Sequence, residues 1–152
     1  MRMQKDGIKK FRKFAAYVSV KMPEVAKVDV IISEIQKQAG TIDKKTIKEA
    51  MFWGKGPMIK IVPGLKCGGT DALGCFDFGF HSDEIRIGEE TVKEFEKGKG
   101  LRKTPKGQQV FLVGVTLLHE LTHWADDQDS VDDPPEEEGE AFEKAIYGGV
   151  IV

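Results

Sequence analysis

Val115-Thr-Leu-Leu-His119-Glu120-Leu-Thr-His123-Trp124 is the stretch on which the reading of this chain turns. Two histidines four positions apart project from one face of a helix, one turn from each other. That spacing lets both imidazoles reach one small cation at about 2.0–2.1 Å per bond. Glu120, one position after the first histidine, is displaced around the helix. It is better placed to hold a water against that ion than to ligate it, which is the position of a general base.

The setting strengthens this reading. Val110, Phe111, Leu112, Val113, Val115, Leu117, Leu118 and Leu121 make the helix apolar nearly all round, so much of it must be buried. A polar group buried without a partner costs about 2–7 kcal/mol by transfer estimates. Two histidines and a glutamate in such a helix need a shared reason, and a metal ion with its water supplies one. The plainer alternative is a pair of core histidines bonded to backbone, with Glu120 facing solvent. The full HExxH pattern rarely arises by chance, and it favours the metal.

A catalytic zinc site needs a third protein ligand and one open position. Candidates lie on a final helix carrying Glu136, Glu137, Glu138, Glu140 and Glu143. Proline before it and glutamates in its first turn suit a helix N-terminus, so Glu136 to Glu138 read as surface residues that complement the helix dipole. Glu140, beside Ala141 and Phe142, sits where this helix turns its packed face toward the histidines. It is assigned as the ligand, and Glu143, one turn on, as a partner for a histidine N–H. The reverse assignment stays open.

Outward from the motif, the spacing predicts helices over Lys5 to Met22, with Pro23 ending the element, over Glu24 to Gln38, and over Thr41 to Phe52 with Thr41 as N-cap. Met58 to Val62, Cys75 to Phe80 and Glu84 to Ile87 read as strands. Glu89 to Lys97 reads as a short helix, Gly98 to Gly107 as an exposed loop and Gln108 to Asp126 as the histidine helix. An acidic loop, Asp127 to Asp133, leads to Pro134-Pro135 and a last helix, Glu136 to Tyr147. No internal repeat or domain boundary is visible. The expectation is one α+β domain over residues 1–152: N-terminal helices, a small antiparallel or mixed sheet, the histidine helix, and a C-terminal helix with the third ligand.

Composition narrows the partners. At 152 residues the chain has the length of one ordinary domain, and 40% hydrophobic residues suffice for a core. A net charge of -2 gives no electrostatic case for nucleic acid. The basic run Arg2, Lys5, Lys9, Lys10, Arg12, Lys13 reads as a solvated face, as does the loop cluster Lys97, Lys99, Arg102, Lys103, Lys106. No apolar stretch approaches the ~20 residues that span a bilayer. The charged first residues lack a signal peptide's apolar core. Cellular location is open between the cytoplasm and export within a larger protein. Cys67 and Cys75 flank a glycine-containing loop that permits a disulfide or two thiols. The run Asp126, Asp127, Asp129, Asp132, Asp133 lacks the ordered spacing and glycine of a calcium loop and reads as a solvated acidic loop.

His119-Glu-Leu-Thr-His123 with Glu140-Ala141 downstream resembles the zincin metallopeptidases whose third ligand is a glutamate. More narrowly, His119 to Gly148 resembles the metallopeptidase domains at the C-termini of bacterial polymorphic toxins. The close likeness covers about the last fifth of the chain. The interval between His123 and Glu140 is tighter than in many relatives, which leaves the third ligand open. The resemblance implies a zincin-like fold, a zinc ion, and a protein or peptide substrate whose backbone pairs with Ser82 to Gly88. For a toxin it further implies a cognate immunity protein. In the implied reaction Glu120 moves the proton of an attacking water, and Tyr147 or His81 donates to the oxyanion. The alternative from another class is a non-catalytic binding module that zinc merely stabilises, with a fourth protein ligand and no use for Glu120.

Overall fold

The computed structural model describes residues 1–128 and 137–152. Asp129, Asp132 and Asp133 of the acidic run, together with Pro134-Pro135 and Glu136, lie outside the described residues. In chain order the elements are β1 (Arg2–Met3), α1 (Lys5–Lys10), α2 (Arg12–Val25), α3 (Asp29–Ala39), α4 (Lys44–Ala50), β2 (Met58–Val62), β3 (Lys66–Cys67), β4 (Thr70–Asp71), β5 (Gly74–Cys75) and β6 (Glu84–Gly88). They are followed by α5 (Glu89–Glu96), β7 (Leu101–Lys103), β8 (Gln109–Phe111), α6 (Leu112–Asp127) and α7 (Glu138–Tyr147). Seven helices and small sheets among the described residues make this a mixed α+β protein, the class expected from the order of elements.

The main sheet runs β1-β2-β6-β5 and is mixed: β1 and β6 lie parallel to β2, while β5 lies antiparallel to β6. Its centre is apolar because Ile59, Ile85 and Ile87 are buried. α6 packs on β5 and β6 with one side and against α3 and α7 with others, which is why it is apolar nearly all round. Leu117 and Leu121 have no exposed surface. Thr116 and Thr122, buried in the same helix, return their hydroxyls to the carbonyls of Leu112 and Leu118 at 2.9 and 2.8 Å. Most of the buried hydrophobic residues form one cluster, from Met3 and Phe14 through Ile35 and Leu117 to Phe142.

Several boundaries differ from expectation for identifiable reasons. The first helix breaks at Phe11, whose ring turns into the core, and Pro23 does not end α2. Met22 and Ala26, both buried, anchor the last turn on either side of the proline, and their packing outweighs the one backbone bond it removes. Asp43, not Thr41, caps α4, its Oδ1 accepting from Thr46 N at 2.7 Å. The stretch expected as a loop before α6 contains β7, which pairs with β8, so the histidine helix begins at Leu112. Gly100 enables this start: in a left-handed conformation (φ 94°), it accepts the first free N–H of the helix, from Leu112, at 2.8 Å. Strand character in Cys75 to Phe80 is confined to Cys75. Cys67 and Cys75 are joined by a disulfide that closes the β3–β4 hairpin onto β5.

Candidate metal centre

α6 and α7 pack side by side, and their contact brings the two histidines of one helix against the glutamates of the other. His119 Nε2 and His123 Nε2 face each other at 3.3 Å. Behind them, His119 Nδ1 lies 2.6 Å from Glu143 Oε1 and His123 Nδ1 lies 3.1 Å from Glu138 Oε2. A carboxylate only accepts, so each Nδ1 donates and each Nε2 presents its lone pair to the space between the rings. Two lone pairs that close repel unless a cation, proton or metal, lies between them. Bonds of about 2.05 Å from nitrogens 3.3 Å apart meet at close to the tetrahedral angle. Glu137 completes the set: one ligand atom each from His119, His123 and Glu137 lie within 4.8 Å of one another. The donor set therefore fits a divalent ion with two imidazoles and one carboxylate.

The electrostatics agree with this geometry. Burial lowers the affinity of His119 for a proton, but the hydrogen bond to Glu143 and the nearby charges of Glu120, Glu143 and Glu137 outweigh it, and its pKa is raised. Burial, helped by His119, pulls His123 down to about 4. Glu143 is fully employed, since its second oxygen accepts from Ile151 N at 2.6 Å. Both histidines are thus held by carboxylates that are themselves buried.

Glu120 lies on the same helix with only 5% of its surface exposed. Burial is the largest influence on its carboxyl and pushes the pKa up to about 7; Glu137 and Glu143 act in the same direction, and His119 opposes them. The backbone of β5 passes directly over Glu120: Gly74 abuts its side chain and Thr116.

The remaining expected site residues fall elsewhere. Glu140 lines the same cleft but pairs with Lys144 Nζ at 3.1 Å and remains partly exposed, and it is not in the group with the histidines. Tyr147 is buried edge-on against Phe142, with ring centroids 6.1 Å apart, and burial raises its hydroxyl well above the ordinary range; it does not line the cleft. His81 is exposed and borders a separate, smaller depression with Arg2 and Lys60. β6 is bonded to β2 along its length and to β5 at Arg86 and Ile87, so Ser82 to Gly88 does not present a free edge there. The outer strand beside the histidines is β5.

Glu137 and Glu138 are the residues that sequence reasoning passed over, as ordinary first-turn glutamates. A signal was available. A histidine that ligates a metal needs an acceptor for its other ring nitrogen, so two such histidines call for two carboxylates besides any ligand, and the glutamates from Glu136 to Glu143 are a dense supply downstream.

The centre opens into a cleft of about 1140 Å³. Phe78, 47% exposed, forms part of its wall, its ring 5.7 Å from that of His123 and 5.0 Å from that of Phe76. Apart from the two histidines, the ionisable side chains among its described lining residues are all acidic.

A mixed α+β protein with a histidine pair, a carboxylate and a buried acid around one point has the equipment of a metal-dependent hydrolase. The chain belongs to the metallopeptidase toxin 3 family, whose pattern it matches over residues 7–148. Membership makes it a metallopeptidase toxin domain, hence a hydrolase that uses a metal ion and acts on protein. No curated protein and no solved structure matches the chain. No helix among the described residues is long and apolar enough to cross a membrane.

Proposed function

We propose that residues 1–152 form one zincin-like domain that hydrolyses peptide bonds with a single zinc ion held by His119, His123 and Glu137. The observation that carries this reading is the pair of Nε2 atoms 3.3 Å apart, each with its Nδ1 engaged by a buried glutamate. In this reading Glu137 takes the ligand position that sequence spacing gave to Glu140, while Glu143 and Glu138 orient the rings. A divalent ion held by these residues would acidify a water and polarise the scissile carbonyl. Glu120 accepts the proton of the attacking water and passes it to the leaving amine. A purely structural metal would have no use for a carboxylate buried at that position.

The substrate backbone is proposed to lie along β5, the outer strand of the sheet, with a large apolar side chain against Phe78. The acidic lining favours segments carrying lysine or arginine. An immunity protein would act by covering the same cleft.

The test is metal content measured beside cleavage of a peptide library, for wild type, His123→Ala and Glu120→Gln. Glu120→Gln is expected to keep its zinc and lose at least 10²-fold in rate, within the range for general-base catalysis. His123→Ala is expected to lose both. A Glu120→Gln protein that cleaves at the wild-type rate removes the assigned mechanism.

A further inference from the structure

Two glycines outside the histidine motif touch its working atoms. A Cβ added to Gly139 would lie 2.6 Å from His119 Cε1, and closer still to Nε2 and Cδ2. A Cβ added to Gly74 would lie 2.5 Å from Glu120 Oε1 and 2.8 Å from both Glu120 Cγ and Thr116 Cγ2. Real Cβ atoms do not approach other heavy atoms this closely. Neither glycine has a positive φ, so backbone conformation does not call for glycine at either position. Space does.

What would yield to a methyl group decides the consequence. At Gly139 the obstructing atoms are the far end of the His119 side chain, whose displacement would break its bond to Glu143. At Gly74 they are the carboxylate end of Glu120 and one methyl of Thr116. In both places the fold can relax by moving a side chain, and in each the chief one is a group the chemistry depends on. Alanine is also the better helix former within α7, so helix propensity alone predicts no loss at position 139.

We infer that Gly139 and Gly74 are positioning residues: Gly139 leaves the space that lets His119 aim Nε2 at the metal, and Gly74 leaves the space that holds the Glu120 carboxylate beneath β5. This rests on the functional reading above. It separates two effects that a general packing role would not: one glycine acts on metal binding, the other on turnover.

The experiment uses the full chain with Gly139→Ala and Gly74→Ala, reading zinc affinity by competition with a chelator, thermal melting, and kcat and KM on an unstructured protein substrate. Gly139→Ala is expected to weaken zinc binding at least tenfold. Gly74→Ala is expected to bind zinc as wild type does, with kcat down at least tenfold and KM within threefold. Zinc affinity unchanged in Gly139→Ala, or kcat unchanged in Gly74→Ala, overturns the assignment of that glycine. Should Gly139→Ala not fold, it is combined with His119→Ala, which removes the obstructing ring; Gly74→Ala is likewise combined with Glu120→Ala and Thr116→Ser. A methyl group tolerated only in these backgrounds upholds the contact, and one that still prevents folding there overturns it. A wild-type chain that binds no zinc instead overturns the functional reading itself.

Discussion

At the scale of single residues, the glutamates of the last helix differ sharply in what they do, although the sequence presents them as one acidic cluster. Glu143 is buried and bonded on both oxygens, to His119 and to the Ile151 amide, whereas Glu140 shares an exposed ion pair with Lys144. Replacing Glu143 by Gln leaves one carbonyl oxygen for two donors, because the amide NH2 can only donate. A buried N–H then goes unpaired at about 1–3 kcal/mol. Loss of a carboxylate behind a ligating histidine typically lowers metal affinity 10–100-fold. Glu143→Gln should therefore weaken zinc by about that factor, while Glu140→Gln should change it less than twofold, because exposed ion pairs contribute little. Zinc titration of the two variants checks this. Equal loss in both, or loss only in Glu140→Gln, would restore Glu140 as the ligand. Part of this distinction was legible beforehand, since Glu143 was expected as the partner for a histidine N–H and lies on His119 Nδ1; which other glutamates face the histidines depends on how α7 is rotated against α6. The i, i+4 spacing of His119 and His123 needs only one helix and was legible at once.

At the scale of elements, what was readable tracked how local the cause is. The apolar run from Leu112 to Leu121 announces a buried helix by itself, and Met58 to Val62 a strand. Short pieces that exist only through a partner were not visible. β7 is three residues made into a strand by β8, and β1 is two residues aligned by β2. The same holds for β5, two residues long, which the sequence offered as the start of a longer strand. β5 is held by β6 and tied to β3 by the Cys67–Cys75 disulfide. With eight residues of separation, the bridge should contribute about 2–3 kcal/mol in the chain-entropy account. For a domain of this size that corresponds to about 5–10 °C in melting temperature. Cys67→Ser should lower the Tm by that amount and make it insensitive to reductant, whereas the wild-type Tm should fall on reduction. Identical melting with and without reductant in the wild type would contradict the bridge.

At the scale of the whole molecule, the architecture serves to put α6 at the junction of three neighbours. The sheet covers one side and places Gly74 over Glu120, while α3 and α7 cover others, and α7 brings its glutamates to the histidines. Polar groups that would be costly to bury alone are thereby satisfied by one another. The mixed α+β class and the metallopeptidase character follow from the sequence pattern and from family membership over residues 7–148. Which glutamates lie beside the histidines follows from the packing of α6 against α7. In the proposed centre one ion sits among His119 Nε2, His123 Nε2 and the Glu137 carboxylate, with one coordination position left for solvent. The direct measurement is anomalous diffraction at the zinc edge from crystals of the purified chain. A single peak about 2.0–2.2 Å from those three atoms, with water or nothing in the fourth position, is the predicted result. A peak ligated by four protein side chains, or no peak between the two histidines at saturating zinc, would contradict it.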